Sequence, residues 1–490
     1  MATVPRTAPN SLREIPYLGL VGGLLLILAL AAVLLLSLIA SVAPTVLLAF
    51  GAGVPLVILA VSPNTRFASL VGILVLAPLM PYLRTFTGIR EGPASLDIAM
   101  VILFLVLLAD HLLARRLTLD WLDLVVAGYI AIGFLQLFNP LSPGMSDALE
   151  SFRRLVLPAL GFFLGKWMIR SLDQVKILVI ALAVVSLFIA VYAVRQSIAP
   201  SAADWRFVQS TVGSPTTYTS LGRFRAFSTL SSPAHLAYLM TSMLLLFFAL
   251  FAAKSIPRPW FVLGVAVLAA GSIVTIVRVG WVGVIAGLLV MFVLAPTLAR
   301  SGGLARLLLA AVAFAGLLVY VLVVLQPDPA MSTRFRSLAN LPAEKHYADR
   351  VTSWQATIVP AIRSHPLGYG LGSDSTRSTA LFSAHNGYFY IAIEMGVVAV
   401  FLVLVIMGSA FLRAYRGLRQ RGPPLFTALH LWVACWTVAL LVMATFGDLL
   451  QVYPVNLYYW FFFGAICGLA LRDREDAEPP QSAAAEESMP

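Results

Sequence analysis

Ser383-Ala384-His385-Asn386-Gly387-Tyr388 opens an apolar run. Its histidine is the side chain whose ordinary pKa suits proton transfer near neutral pH. At the mouth of a helix a neutral imidazole can take a proton from a sugar hydroxyl, with Asn386 orienting the ring or a substrate. The alternative is a histidine that only caps the helix start. Arg278 stands between two apolar runs in Ile276-Val277-Arg278-Val279-Gly280-Trp281. A guanidinium at the edge of hydrocarbon marks either a functional site or a turn residue snorkelling to headgroups. Gly222-Arg223-Phe224-Arg225-Ala226-Phe227 supplies two more. Arginine forks match phosphate oxygens bidentately, so Arg223, Arg225 and Arg278 together suit a diphosphate; the competing role for 223–225 is lipid-headgroup binding. Arg350 joins this diphosphate-binding set from the loop that precedes His385.

His365-Pro366-Leu367-Gly368-Tyr369-Gly370-Leu371-Gly372-Ser373 places glycines at alternate positions. Such spacing permits tight turns and close backbone approach to a ligand, which makes Gly370 a candidate substrate contact beside Asn386 and Tyr388. It is no P-loop, since the Lys-Ser/Thr and following helix are missing. No helix carries several acidic or histidine residues at i, i+4 spacing and no Asp-x-Asp pair occurs. Neither a metal, nor a cofactor, nor a metal-held nucleotide sugar is therefore expected. Cys435 and Cys467 fall inside apolar runs and imply no disulfide. Asp110, His111 and Lys166 read as snorkelling groups at helix ends. Asp448 reads as a helix cap, and Glu394, deeper than His385, as the partner of an arginine or part of a proton path.

These groups need elements to position them, and composition defines those elements. The chain is 60% hydrophobic and 11% charged, where a soluble domain would carry about 25% charged residues. Many apolar runs approach or reach the length that crosses a bilayer as a helix, and the alternating short segments of a membrane barrel are absent. The expected fold is all-α, a polytopic helical bundle with about 12 to 14 membrane helices and a large outer loop containing short helices. The apolar segments are 15–40, 44–61, 67–83, 96–114, 122–138, 155–169, 175–194, 235–253, 260–277, 279–298, 304–325, 388–412, 426–446 and 455–471. The first is too long for a signal-peptide core and reads as an anchor.

A formal charge of +11 is concentrated in short loops at every second turn of the chain. The positive-inside rule makes those loops and both termini cytoplasmic. The resulting plan is N-terminal membrane helices over 1–196, an outer loop over 197–234, membrane helices over 235–325, a large outer catalytic loop over 326–385, C-terminal membrane helices over 386–471 and a disordered tail over 472–490. Both outer loops are basic, which points to an anionic ligand on that face. Within the larger one, 350–362 has helical periodicity with Trp354 expected at headgroup level and Pro360 weakening its end.

Arg350-Val351-Thr352-Ser353-Trp354, Pro366 to Gly372, Ala384-His385-Asn386-Gly387-Tyr388 and Glu394-Met395-Gly396 together resemble the conserved block of the O-antigen ligase and polymerase family. Ile276 to Trp281 is similar to that family's arginine motif, with Val277 where serine is usual, and Arg223 and Arg225 look like its upstream basic site. The resemblance implies a metal-independent membrane glycosyltransferase of the C-type fold, with His385 catalytic and Arg225 and Arg278 holding diphosphate. It implies an undecaprenyl-diphosphate-linked glycan donor and a glycan or glycolipid acceptor, in a bacterial inner membrane with the site on the periplasmic face and no nucleic acid partner. The long loops lean towards an exopolysaccharide or O-antigen polymerase. A secondary transporter of a small anion, or a non-catalytic subunit of a glycan-export complex, are the other classes. A transporter would gather its polar residues at the bilayer midplane, whereas here they collect at one surface.

Overall fold

The computed structural model describes residues 62, 65–82, 92–114, 119–210, 218–220, 223–294, 345–374, 385–420 and 422–475. The expected segments 15–40, 44–61 and 304–325 lie outside these residues, as do 326–344 and 375–384 of the large loop and 476–490 of the tail. In chain order the helices are α1 (Arg66–Leu76), α2 (Gly92–Leu113), α3 (Trp121–Gln136), α4 (Met145–Leu155), α5 (Leu160–Met168) and α6 (Leu172–Ile198). A short α7 (Ala202–Ser210) and an antiparallel ladder of β1 (Thr219–Ser220) with β2 (Arg223–Phe224) follow. Next come α8 (Pro233–Ala252), α9 (Arg258–Ile273), α10 (Arg278–Leu294), α11 (Lys345–Ser353), α12 (Val359–Ser364), α13 (Gly387–Met395), α14 (Val397–Arg419), α15 (Pro424–Ala444) and α16 (Val455–Glu475).

The protein is an all-α membrane bundle. Among the described residues five helices, α2, α6, α8, α14 and α15, are long and apolar enough to cross a bilayer. Their burial separates two roles. In α8 and α15, 89% and 72% of the spanning window is covered by protein, whereas 33% is covered in α2 and 39% in each of α6 and α14. An apolar helix covered on all sides is a core element, and one with a bare apolar face meets lipid. Leu105, Phe188 and Phe401 are accordingly exposed.

Small residues set the closest approaches. Gly161 and Gly165 of α5 lie on the backbone of α16 at Leu457, Phe461 and Ala465, and Gly464 and Gly468 of α16 lie on the carbonyls of Phe162 and Lys166. Each helix thus carries a Gly-xxx-Gly pair against the other, the spacing that lets membrane helices touch backbone to backbone. Gly280 and Gly287 of α10 face Ala237 and Leu245 of α8, while Gly283 faces Met443 of α15. The core helices α8, α10 and α15 are therefore held close together at the end that carries Arg278.

Three expectations need correction. The apolar segment 155–169 is not one span: it breaks into a tight turn, Leu157–Ala159, and the nine-residue α5, because Pro158 cannot donate to a continuing helix. The segment 388–412 is split at Gly396 (φ 86°), whose neighbour Val397 donates its N–H to Pro366 at 2.9 Å. Lys166 does not snorkel. It is buried, with Nζ 2.6 Å from both carboxylate oxygens of the buried Asp123, while Arg413 holds Asp120 at 3.0 Å. An ammonium inside a bundle is tolerable only when paired in this way.

The expected helix of the large loop is present as α11 and α12. Between them, over Trp354–Ile358, the chain makes a wider turn closed by Val359 N–H to the Trp354 carbonyl. The widening accommodates Pro360, which has no N–H and would crowd the preceding turn. Trp354 packs edge-on against Phe389 of α13, with ring centroids 5.6 Å apart, among Ile358, Ile362 and Ile393. Its ring is partly buried by this packing.

Candidate active site

His385 sits immediately before α13 with φ 44°, in the left-handed region, and keeps access to solvent. Asn386 fixes it there. Its Oδ1 caps α13 by accepting from Tyr388 N–H (3.0 Å) and Phe389 N–H (3.1 Å), and its Nδ2 donates to the Thr445 carbonyl (3.1 Å). Asn386, not His385, is thus the cap. Tyr388 donates its hydroxyl to Leu441 at 2.8 Å. Both side chains tie the start of α13 to the end of α15.

The chain beyond α15 contributes a residue that sequence reasoning took for a cap. Asp448 precedes a tight turn, Leu449–Gln451, but its carboxylate makes no capping bond there. It is half-buried, accepts from the backbone N–H of Asn386, and interacts electrostatically with His385 and Arg350. Its Oδ1 has no hydrogen-bond partner among the described residues. Arg350 reaches the carbonyl of Phe446 at 3.4 Å. Burial lowers the pKa of His385 below the ordinary imidazole value; Arg350 lowers it further and Asp448 opposes them. Burial raises the Asp448 carboxyl against the pull of His385 and Arg350. The imidazole is thereby kept neutral at pH 7, the form that accepts a proton.

Tyr238 of α8 was also missed. Its hydroxyl lies where a side chain on residue 447 would be, and it feels the charges of Asp448, Arg350 and Arg225. Only glycine at 447 leaves this space. A tyrosine near the start of a largely apolar helix is a detectable signal, but only the tertiary structure reveals what its hydroxyl meets.

The arginines come together from separate segments. Phe224 of β2 packs into an aromatic cluster with Phe207, Tyr218 and Phe227. Strand alternation then puts Arg223 and Arg225 on the opposite face. Arg225 Nε donates to the Thr275 carbonyl at 3.2 Å, and Ala226 N–H to the Val274 carbonyl at 3.1 Å. The turn they reach ends in Arg278, the first residue of α10, which is half-buried. Ile276 in that turn has φ 55°, a strained value for a β-branched residue. Thr241 Oγ1 of α8 donates to the Gly280 carbonyl at 2.9 Å, one turn from Tyr238. Arg225, Arg278, Tyr238, Asp448, Arg350 and His385 thus share one end of the bundle. Arg223 is exposed at its edge.

The alternate glycines form tight turns packed against other parts of the chain. Gly368, Gly370 and Gly372 all have positive φ (94°, 91° and 84°), but the space beside each is filled by the chain itself. Gly368 abuts Gly396, Gly370 abuts Asn139 and Ser142, and Gly372 abuts Asp147. Gln136 Nε2 donates to Leu367 (2.7 Å) and Ser142 Oγ to Leu371 (2.7 Å). Glu394 is buried and accepts from Ser151 Oγ and, at 3.1 Å, from Gly372 N–H; these bonds, rather than an arginine, satisfy it. The glycine-rich stretch is a strap across α3, α4 and α13.

Residues 263–404 match the family model for O-antigen ligase. Over this stretch the chain is similar to O-antigen ligases. No curated protein matches the chain. The O-antigen ligase match contains Arg278, Arg350, His385, Asn386 and Tyr388, while Arg225, Tyr238 and Asp448 come from flanking segments on either side of it. The match supports a membrane enzyme of glycan assembly.

Proposed function

We propose that the protein transfers a glycan from undecaprenyl diphosphate to an acceptor glycan or glycolipid, as a polysaccharide polymerase or O-antigen ligase of the bacterial inner membrane working on its periplasmic face. The observation that carries this is the gathering of Arg225, Arg278 and Arg350 at the same end of the bundle as a histidine whose surroundings lower its pKa. Arginine forks neutralise diphosphate oxygens, and their attraction grows as charge builds on the leaving group. His385 takes the proton from the acceptor hydroxyl as its oxygen attacks the anomeric carbon. The bond from that carbon to the diphosphate oxygen breaks, releasing undecaprenyl diphosphate. Asp448 stabilises the imidazolium that forms, and Asn386 and Tyr388 keep the histidine in place. Arg223 at the edge steers the anionic donor, and Gly370 holds the loop strap that fixes this face. Charge stabilisation by guanidinium makes a divalent metal unnecessary.

His385→Ala is the direct test. General-base catalysis is worth a factor of about 10² to 10⁴, so the purified variant should insert, fold and bind donor but lose nearly all transfer. Retention of more than about a tenth of the wild-type rate excludes the base assignment. In cells, a deletion separates the two activities: single-repeat glycans mark a lost polymerase, and unattached lipid-linked polymer a lost ligase.

A further inference from the structure

A second polar cluster lies beyond the site, on α6 and α7, and its bonds lead back to Arg225. Asp204 is fully buried. It accepts from Tyr192 hydroxyl at 3.0 Å, Arg195 at 2.9 Å, Gln196 Nε2 at 2.9 Å and both the N–H and hydroxyl of Ser201 at 2.7 Å. Gln196, also fully buried, turns its Oε1 to the next segment and accepts from the N–H groups of Phe227 (2.9 Å) and Ser228 (2.8 Å). Ser228 has φ 55° and is further held by its hydroxyl on the Ile189 carbonyl at 2.7 Å, while Thr229 binds the Pro78 carbonyl at 2.9 Å. A left-handed backbone at a non-glycine residue persists only where its surroundings over-determine it. The consequence is upstream. With Phe227 and Ser228 fixed by Gln196, and Arg225 N–H on the Tyr218 carbonyl at 2.8 Å, the intervening chain has no freedom to lift Arg225 from the Thr275 carbonyl.

We infer that Gln196 and Asp204 are positioning residues for the diphosphate: Asp204 orients the Gln196 amide, and Gln196 holds the backbone that aims Arg225. This rests on the proposed donor role of Arg225. Neither residue touches the site itself. Gln196 is suited to the task because one carboxamide supplies both the donor that Asp204 reads and the acceptor for two adjacent N–H groups.

The test is a double-mutant cycle on binding of undecaprenyl diphosphate to the purified full-length protein in detergent, with Gln196→Met, Arg225→Ala and the pair. Gln196→Met keeps volume and removes both polar functions. It should weaken binding about tenfold in the wild-type background and have almost no further effect once Arg225 is alanine, because coupled residues are non-additive. Losses that multiply independently overturn the inference, as does wild-type affinity in Gln196→Met while Arg225→Ala is impaired. Wild-type affinity in Arg225→Ala itself overturns the donor role of Arg225 and the inference with it. Should Gln196→Met fail to fold, Asp204→Asn replaces it, with Asp204→Glu as the conservative variant. Asp204→Asn should show the same coupling to Arg225, and Asp204→Glu should restore part of the affinity. Independent losses there have the same overturning force.

Discussion

Arg225 Nε donates to the carbonyl of Thr275 at 3.2 Å, which seats one guanidinium against the turn that ends in another, Arg278. This bond uses the Nε–H of a planar fork whose other N–H donors match phosphate oxygens. Lysine has one ammonium and cannot do both. Arg225→Lys should therefore weaken donor binding nearly as much as Arg225→Ala, by the order of one charge-assisted hydrogen bond, about 1.5 to 3 kcal/mol. Titration with undecaprenyl diphosphate measures it, and wild-type affinity in Arg225→Lys would show that the fork is unimportant.

The electrostatics of His385 have a testable sign. Its pKa is lowered by burial and by Arg350 and raised by Asp448, and the neutral ring is the form the proposed base mechanism requires. Activity should hold as pH falls towards the ordinary histidine value, near 6.5, and decline below it as the ring gains its proton. Asp448→Asn removes a raising influence and should move this acid limb to lower pH; Arg350→Ala should move it upward. Profiles of kcat/KM against pH read the limb independently of any loss in maximal rate. Movement in the opposite directions would place His385 outside the titrating step.

The backbone contact between α5 and α16 gives a stability prediction. Leucine at Gly165 would collide with the carbonyl of Phe461 and the backbone of Ala465, whereas Gly408 on α14 has nothing within 4 Å of an added side chain. Gly165→Leu should cost at least the usual overpacking penalty of about 1 to 3 kcal/mol and lower the melting temperature in detergent. Gly408→Leu should leave it nearly unchanged. Equal melting temperatures would dismiss the close contact.

Topology is open to labelling, since both native cysteines are buried. A cysteine at Leu367, 72% exposed in the loop strap, should react with an impermeant reagent from outside intact cells. One at Gln420, exposed after the basic end of α14, should react only after permeabilisation. The reverse pattern would invert the proposed orientation.

Periodicity and hydropathy alone determined the all-α membrane class and most helix positions, because lipid forces each spanning segment to satisfy its own backbone and to display a long apolar run. The amphipathic α4 was missed by the search for long apolar runs, although Met145, Ala148, Leu149, Phe152 and Leu155 follow helical spacing, with Asp147 in the first turn and Arg153 and Arg154 in the last. His385, Arg225 and Arg278 were legible by residue type, since charge and imidazole are conspicuous against an apolar background. Only the tertiary structure decided what each of them meets. Asp448 became a partner of His385, and Gln196 and Asp204 became anchors for the segment after Arg225, because separate helix ends converge there. The break at Gly396 and the inward turn of Lys166 have the same origin, whereas the break at Pro158 is local. A local sequence window reports whether a residue prefers water or lipid, but not whether another element will supply the hydrogen bond or countercharge that lets it be buried.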